Sequence, residues 1–297
     1  MSETISICPI CDHQQFRLFL KGKDYFLTQE PFSIVACTAC GFRFTNPRPN
    51  PVSAETYYQS EAYLSHDSSK RGIIPILYGM ARRFNVHSKY NIVKTYAKGN
   101  SLLDIGCGTG EFLHLCRQKG LKCTGVEPSA KARNFAQNRY SLDVKADFLT
   151  DISPSSRYHC ITMWHVLEHI HGLDETMRKL TEVLEPDGVL IVALPNSNAH
   201  DATYYGKFWA AFDLPRHIYH FTRETFIKFA SKYSLTCITI LPQKLDAFYI
   251  SLLSEKYRTG SSNFVRAVYR GLRSNCEGRN PLTGHSSEIY ILEIKNS

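Results

Sequence analysis

Residues 101–195 alternate between short apolar runs and helical stretches, and this alternation restricts the fold more than any other feature. The runs SLLDIG, KCTGVE, LDVKAD, HCITMW and GVLIVALP have strand character, while EFLHLCRQKG, SAKARNFAQNRY and TMRKLTEVL between them repeat apolar residues as helices do. Such a succession predicts parallel strands joined by right-handed crossovers, hence a doubly wound α/β fold. Further on, TRETFIKFASKY reads as a helix with a capping-box start at Thr222, and LTCITIL and EIYILEI as two more strands. The expectation is a mostly parallel sheet of seven strands.

The first strand runs into LLDIGCGTG, where Gly106, Gly108 and Gly110 let backbone approach a ligand at the carboxyl edge of the sheet. No Gly-Lys-Ser/Thr follows, so a triphosphate cradle does not fit, and the dinucleotide fingerprint wants its third glycine one position later. Glu127 ends the second strand about 20 residues past the first glycine, where a carboxylate accepts both ribose hydroxyls. Asp147 and Phe148 follow the third strand and offer an acceptor for an exocyclic amine and a ring beside a purine; the plain alternative is a solvated turn acid and a core phenylalanine.

The segment before this core is of another kind. Cys8/Cys11 and Cys37/Cys40 form two Cys-x-x-Cys knuckles separated by 25 residues without helical period. Four thiolates so placed suit one tetrahedral zinc with no open position, so the metal is expected to be structural. The six remaining cysteines are isolated and read as packing residues. NPRPNP at 46–51 disfavours helix and sheet and marks a boundary. The expected organisation is a zinc ribbon over 1–50, a helical cap or linker over 51–98, a ligand-binding core over 99–243, and a helical insertion with the last core strand over 244–297. The cap rests on Tyr57, Tyr58, Leu64, Ile76, Leu77, Met80, Phe84, Ile92, Val93 and Tyr96, spaced by three or four.

Taken together, LLDIGCGTGEFL, GVEPSAKA, KADF, YHCITMWHVLEHI and LEPDGVLIVALPN resemble, in order, the blocks of the class I S-adenosylmethionine-dependent methyltransferases. The chain is most similar to the ubiquinone-type O-methyltransferases and their relatives acting on small molecules and glycans, in which VLEH recurs. The resemblance implies a Rossmann-like core in which Asp104, Gly106, Gly108 and Gly110 surround the methionine part of the donor and Glu127 holds its ribose. It further implies that Asp147 and Phe148 take the adenine and that Trp164 lies near the methionine end. His159 stands where relatives commonly carry aspartate and receives no role.

Methyl transfer from a sulfonium is an in-line displacement that mainly needs alignment and exclusion of water. A hydroxyl acceptor also needs a base, and histidine suits that near neutral pH. His165 and His169 would share a helix face if VLEHI opens a helix, and with Glu168 they also permit a metal reading. The second set is DLPRHIYHF, with Arg216, His217, Tyr219 and His220 in an aromatic, aperiodic stretch (196–222) that reads as a substrate loop. Candidate bases are His217, His220 and His165.

The formal net charge of +8 favours an anionic partner without choosing one. Residues 248–275 mix apolar side chains with Lys256, Arg258, Arg266, Arg270 and Arg273. They suit either peripheral membrane contact or, more plainly, two amphipathic helices packed over the site. The leading expectation is methyl transfer to a small-molecule, glycan or lipid-linked acceptor at oxygen. An RNA methyltransferase that grips nucleic acid through the ribbon is the alternative, weakened because Arg17, Lys21, Lys23 and Arg43 are balanced by Glu3, Asp12, Asp24 and Glu30. A non-catalytic nucleotide-binding protein is the third. With no long apolar run and no secretory pattern in MSETISICPIC, the expected location is the cytoplasm.

Overall fold

In the computed structural model, residues 2–58 and 73–295 are described, the side chains of 73–83 excepted. Leu64 of the expected cap, and the side chains of Ile76, Leu77 and Met80, lie outside the described residues. Seven strands form the central sheet: β1 (Ser101–Ile105), β2 (Lys122–Val126), β3 (Asp143–Lys145), β4 (Tyr158–Trp164), β5 (Leu184–Pro195), β6 (Leu235–Pro242) and β7 (Ser287–Ile294). Their order across the sheet is β6-β7-β5-β4-β1-β2-β3, with β7 antiparallel to both neighbours. The β4, β1, β2 and β3 pairings are parallel, as the strand–helix alternation predicts.

Both faces of the sheet are covered, which explains why the central strands are apolar throughout rather than alternating. In β1, Leu102 and Leu103 are both fully buried, and the two-residue period sends them to different cores. Leu103 joins Leu180 and Val183 of α4 (Leu173–Val183); Leu102 joins Phe112 and Leu113 of α2 (Glu111–Gln118) and Val93 of α1 (Ile73–Tyr96). Between α2 and α4, α3 (Ala130–Tyr140) begins at a Ser129 cap whose hydroxyl receives the Ala132 amide.

The cysteine module forms a second sheet of strands Phe16–Lys23, Pro31–Cys37 and Arg43–Thr45. Its fourth strand, Tyr219–His220, comes from the far side of the core and pairs with Arg43–Thr45. The ribbon is therefore joined to the core by backbone pairing and is no loose appendage. Within NPRPNP, Arg48–Pro49 pairs with Ser2–Glu3, against the expectation that this stretch avoids sheet; a two-residue edge strand loses little to a proline.

The stretch 196–222 is more ordered than its aperiodic sequence suggests. It contains α5 (His200–Tyr205), two 3₁₀ turns at Gly206–Phe208 and Ala210–Phe212, and the strand given to the ribbon. Trp209 and Phe212 are buried, and the Trp209 indole donates to Asp201 at 3.0 Å. α6 (Arg223–Ser231) begins at the Thr222 capping box with Thr225 as its partner. In the late insertion, α7 (Asp246–Thr259) packs inward, and α8 (Phe264–Glu277) lies against it. Of the two amphipathic helices expected, α8 packs on α7 through Ala267 and Gly271 but leaves Phe264, Val265, Tyr269 and Leu272 exposed on its other side. No described helix is long and apolar enough to cross a membrane.

Candidate active site

The glycine turn leaves β1 at the carboxyl edge, with Gly106 at φ +74°, Gly108 at +55° and Gly110 at +81°, values that disfavour any Cβ. Their surroundings differ. A Cβ on Gly106 would meet Val166 at 2.4 Å and one on Gly110 would meet Leu142 at 2.7 Å, whereas beside Gly108 there is open space. Two glycines thus serve packing, and the middle one leaves its surroundings open. Glu127 bridges this turn to the end of β2, accepting the amides of Gly108 at 2.8 Å and Ser129 at 2.9 Å.

Asp104 is buried beneath the turn and accepts the Thr162 hydroxyl at 2.6 Å. Burial pushes its carboxyl up to about 7, against the opposing pull of Thr162 and the Lys89 ammonium. Asp147 lies exposed at the end of β3 and caps the short helix Phe148–Asp151 through the Thr150 amide. Phe148 is 7% exposed and belongs to the core with Val126 and Ile152, closer to the plain reading of a packed ring than to an open adenine face. Trp164 ends β4, packs edge-on against Phe112 and carries Lys89 Nζ 4.9 Å from its ring centre; its indole N–H has no partner among the described residues.

Next to this edge a cavity of about 360 Å³ opens over the ends of β4, β5 and β6. Its lining includes Pro195 and Ser287 from the sheet, His165 and Gln243 just past the ends of β4 and β6, and Asn85 and Lys89 from α1. Arg216, His217, Asp246 and Tyr257 complete its polar walls, and Phe26 is contributed by the ribbon. Arg216, nearly buried, is clasped by Asp24 of the ribbon at 3.0 Å and by Asp213 at 2.6 Å. Burial would raise the Asp24 carboxyl, yet the Arg216 guanidinium and the Thr28 and Leu27 amides hold it low.

The three candidate histidines separate. His165 sits in left-handed backbone at φ +58°, a strained conformation for a ring-bearing residue, and lines the cavity. Burial would lower its pKa, but Asp246 at 3.1 Å and Glu168 at 3.4 Å outweigh that and push it up to about 10. An imidazole already charged at neutral pH is no general base there, a correction to its expected role. His220 lies outside the cavity lining with its Nε2 3.0 Å from the Thr45 hydroxyl, in the strand given to the ribbon. It is a structural histidine, the second correction. His217 borders the cavity with Nδ1 2.9 Å from the Ala211 carbonyl. A carbonyl only accepts, so Nδ1 carries a proton and Nε2 is the nitrogen turned away from that bond.

VLEHI does not open an α-helix. Leu167–His169 forms one 3₁₀ turn, and α4 begins only at Leu173. His165 and His169 therefore do not share a helix face; instead Glu168 and His169 meet His217. Asp24, Lys89, Gln243 and Asp246 were not singled out from the sequence. No local pattern marks them: Lys89 reaches the cavity from α1 and Gln243 with Asp246 from the turn into α7, while Asp24 acts on it only through Arg216. His159 is explained as structural, its Nδ1 2.7 Å from the Ser101 hydroxyl.

Cys8, Cys11, Cys37 and Cys40 converge, with Cys8 Sγ 3.6 Å from Cys40 Sγ and Cys11 Sγ 3.5 Å from Cys37 Sγ. Four thiolates about 2.3 Å from a tetrahedral zinc sit roughly 3.8 Å apart, so the set fits that ion with little movement. Cys8 and Cys37 are buried, and every coordination position would be filled by protein, as in a structural site.

A doubly wound sheet with β7 reversed, a glycine turn after β1 and a carboxylate after β2 defines the class of Rossmann-like folds that hold a nucleoside at the carboxyl edge. Comparison narrows the class. The family described as "Methyltransferase domain" matches residues 81–240, more than half of the chain. The chain belongs to that family and carries a class I S-adenosylmethionine-dependent methyltransferase domain. A ubiquinone biosynthesis O-methyltransferase of Bradyrhizobium sp. (strain ORS 278) is 29% identical over 105 residues, which cover 34% of this chain and 42% of that enzyme. Among solved structures, magnesium protoporphyrin IX methyltransferase from Synechocystis PCC 6803 with bound SAH superposes with TM-score 0.54 at 12% identity, covering 83% of this chain and 100% of that one. A SAM-dependent methyltransferase from Archaeoglobus fulgidus gives 0.50 at 18% identity, covering 71% and 93%. At such identities these structures speak for the fold.

Proposed function

We propose that the protein transfers the methyl group of S-adenosylmethionine to a hydroxyl oxygen of a small-molecule, glycan or lipid-linked acceptor, and that a structural zinc fills the four-cysteine ribbon. The observation that carries this reading is the cavity of about 360 Å³ set against the donor edge, a volume suited to a small acceptor group rather than to an extended polymer. Asp104, Gly106, Gly108, Gly110 and Glu127 are assigned to the methionine and ribose parts of the donor, Asp147 to the adenine edge and Trp164 to the methionine end. Phe148 backs the adenine site from the core.

Reaction needs the acceptor oxygen in line with the methyl–sulfur bond and water kept out, and the enclosing loop, ribbon and α7 supply that enclosure. Of the expected bases, His217 is assigned to the acceptor O–H, because it borders the cavity with Nδ1 committed to the Ala211 carbonyl and Nε2 left as the nitrogen for the acceptor. The RNA reading has less support. Arg43, the ribbon's inner arginine, donates to the Ser197 carbonyl at 2.6 Å and stacks over Phe19 instead of facing solvent. A labelled methyl donor incubated with purified protein and fractionated cell extract tests the proposal. Label is expected in small-molecule, glycan or lipid fractions; label confined to RNA overturns it.

A further inference from the structure

Beside the cavity lies a second concavity, a groove of about 650 Å³ between the ribbon, the 3₁₀ turn Gly206–Phe208 and α7. Each of these three segments contributes a lysine: Lys23 ends a ribbon strand, Lys207 sits in the turn and Lys256 on α7. The lining holds no carboxylate. Arginines close by are matched. Arg216 is clasped by Asp24 and Asp213, and the buried Glu255 takes Arg258 at 3.2 Å and Arg266 at 3.7 Å. The acceptor cavity likewise mixes signs, with Lys89 and Arg216 against Asp213 and Asp246. The groove alone is lined by one sign of charge.

Its lysines are also held in place. Tyr25 stacks on Tyr257 with ring centres 5.4 Å apart and meets Phe208 at 5.3 Å, so three rings form one platform. Lys23 Nζ lies 5.1 Å from the Tyr25 ring centre and Lys207 Nζ 5.2 Å from that of Phe208. An aromatic face orients an ammonium group without cancelling its charge. Like charges brought from three segments into one concavity repel one another and focus a positive potential there, which an anion relieves. The groove and the acceptor cavity meet along Phe26, Leu253 and Tyr257, which line both.

We propose that this groove holds a diphosphate group of the acceptor, while the hydroxyl to be methylated lies next door at His217. This inference rests on the acceptor reading above and deepens it. Among small-molecule, glycan and lipid-linked acceptors it selects a hydroxyl compound, such as a sugar, esterified to a diphosphate carrier. Lysine meets phosphate as a point charge on a flexible stem, which suits a diphosphate that can turn about its bridging oxygen. Beyond the diphosphate the carrier is a nucleoside or an isoprenoid lipid, two sources of the same ionic group. The three lysines position the acceptor and touch no reacting atom, so their loss acts on acceptor affinity and leaves donor affinity alone.

The test uses the full chain with zinc in its ribbon and S-adenosylhomocysteine filling the donor site. It is titrated by calorimetry with inorganic pyrophosphate, uridine diphosphate and farnesyl diphosphate. One saturable pyrophosphate site per chain is expected, weakened at least about tenfold by Lys23→Gln with Lys207→Gln, and weakened also by added salt. Lys119→Gln, at an exposed position just past α2, removes a charge elsewhere and is expected to change nothing. Tighter binding of uridine diphosphate than of pyrophosphate supports the groove with a nucleotide carrier, and tighter binding of farnesyl diphosphate supports it with a lipid one. S-adenosylhomocysteine affinity is measured in every variant. Its retention shows that a variant is folded, and Lys256→Gln replaces any variant that is not. No saturable binding to the wild type, binding indifferent to the groove lysines, or an equal loss with Lys119→Gln overturns the proposal. So does an RNA oligonucleotide that binds more tightly than any diphosphate and depends on the same lysines. Donor binding and label transfer test the methyltransferase reading separately, so the two can fail independently.

Discussion

The edge assigned to the donor and the cavity assigned to the acceptor share one rim of the sheet but are built differently. The donor edge comes from a single run of chain in which strand, glycine turn and Glu127 follow in order, and hydrogen bonds such as Gly108 to Glu127 close within it. The acceptor cavity draws on the ribbon, α1, the turn after β4, the 196–222 stretch and α7, and it is held by contacts such as Arg216 to Asp24 across 192 positions. A site made locally is changed by local substitution alone. One made from distant segments inherits the stability of each, so a defect far from the cavity reaches it.

The ribbon gives that contrast its sharpest test. Cys37→Ser with Cys40→Ser removes half of the ligands proposed for zinc, and a structural zinc in such a set is worth on the order of 10 kcal/mol to its module. Metal analysis should fall from about one zinc per chain to none. The strand Tyr219–His220 loses its partner, so acceptor turnover should vanish while S-adenosylmethionine still binds. Loss of donor binding as well would mean the two sides are one folding unit.

Asp24→Ala is a smaller version of the same break. It leaves the buried Arg216 with Asp213 as its remaining carboxylate, and breaking a buried pair costs about 3 kcal/mol or more. Thermal unfolding should register that loss, and donor affinity should not change. On the donor side, Asp104 gives a signature in pH. Its pKa is raised from about 4 unfolded to about 7 folded, so the native state holds that proton more tightly. Stability of the ligand-free protein should therefore fall by up to a few kcal/mol as pH rises through that window, then level off above it. Asp104→Asn should flatten this part of the profile of unfolding temperature against pH. The smallest effect is expected at Thr222→Ala, which removes the α6 cap for about 1 kcal/mol and leaves both binding sites alone. Denaturant unfolding measures it.

How far each region could be read from sequence follows from the same contrast. The seven strands, the glycine turn and the cysteine set are legible because each has a local rule: burial on both faces, positive φ, ligand spacing. The VLEHI turn misled because a stretch fit for a helix becomes one 3₁₀ turn when the Glu168 carbonyl accepts the Ile218 amide and the His169 ring meets the Arg216 carbonyl, and His165 takes left-handed backbone before it. His220 looked chemical beside His217, but two-residue alternation in a strand turns it toward Thr45 and the ribbon. The 196–222 stretch showed no period because its order comes from packing, such as Trp209 on Asp201, and not from repetition.

The central claim is that this edge of the sheet holds S-adenosylmethionine by its ribose through Glu127. Calorimetric titration of wild type and Glu127→Ala with S-adenosylhomocysteine tests it most directly. One site per chain is predicted, with affinity lowered at least about tenfold in the variant, the worth of a charged hydrogen bond, and an unfolding temperature lowered only by the loss of the Gly108 and Ser129 amide bonds. No heat with the wild type, or equal affinity in the two proteins, would contradict it.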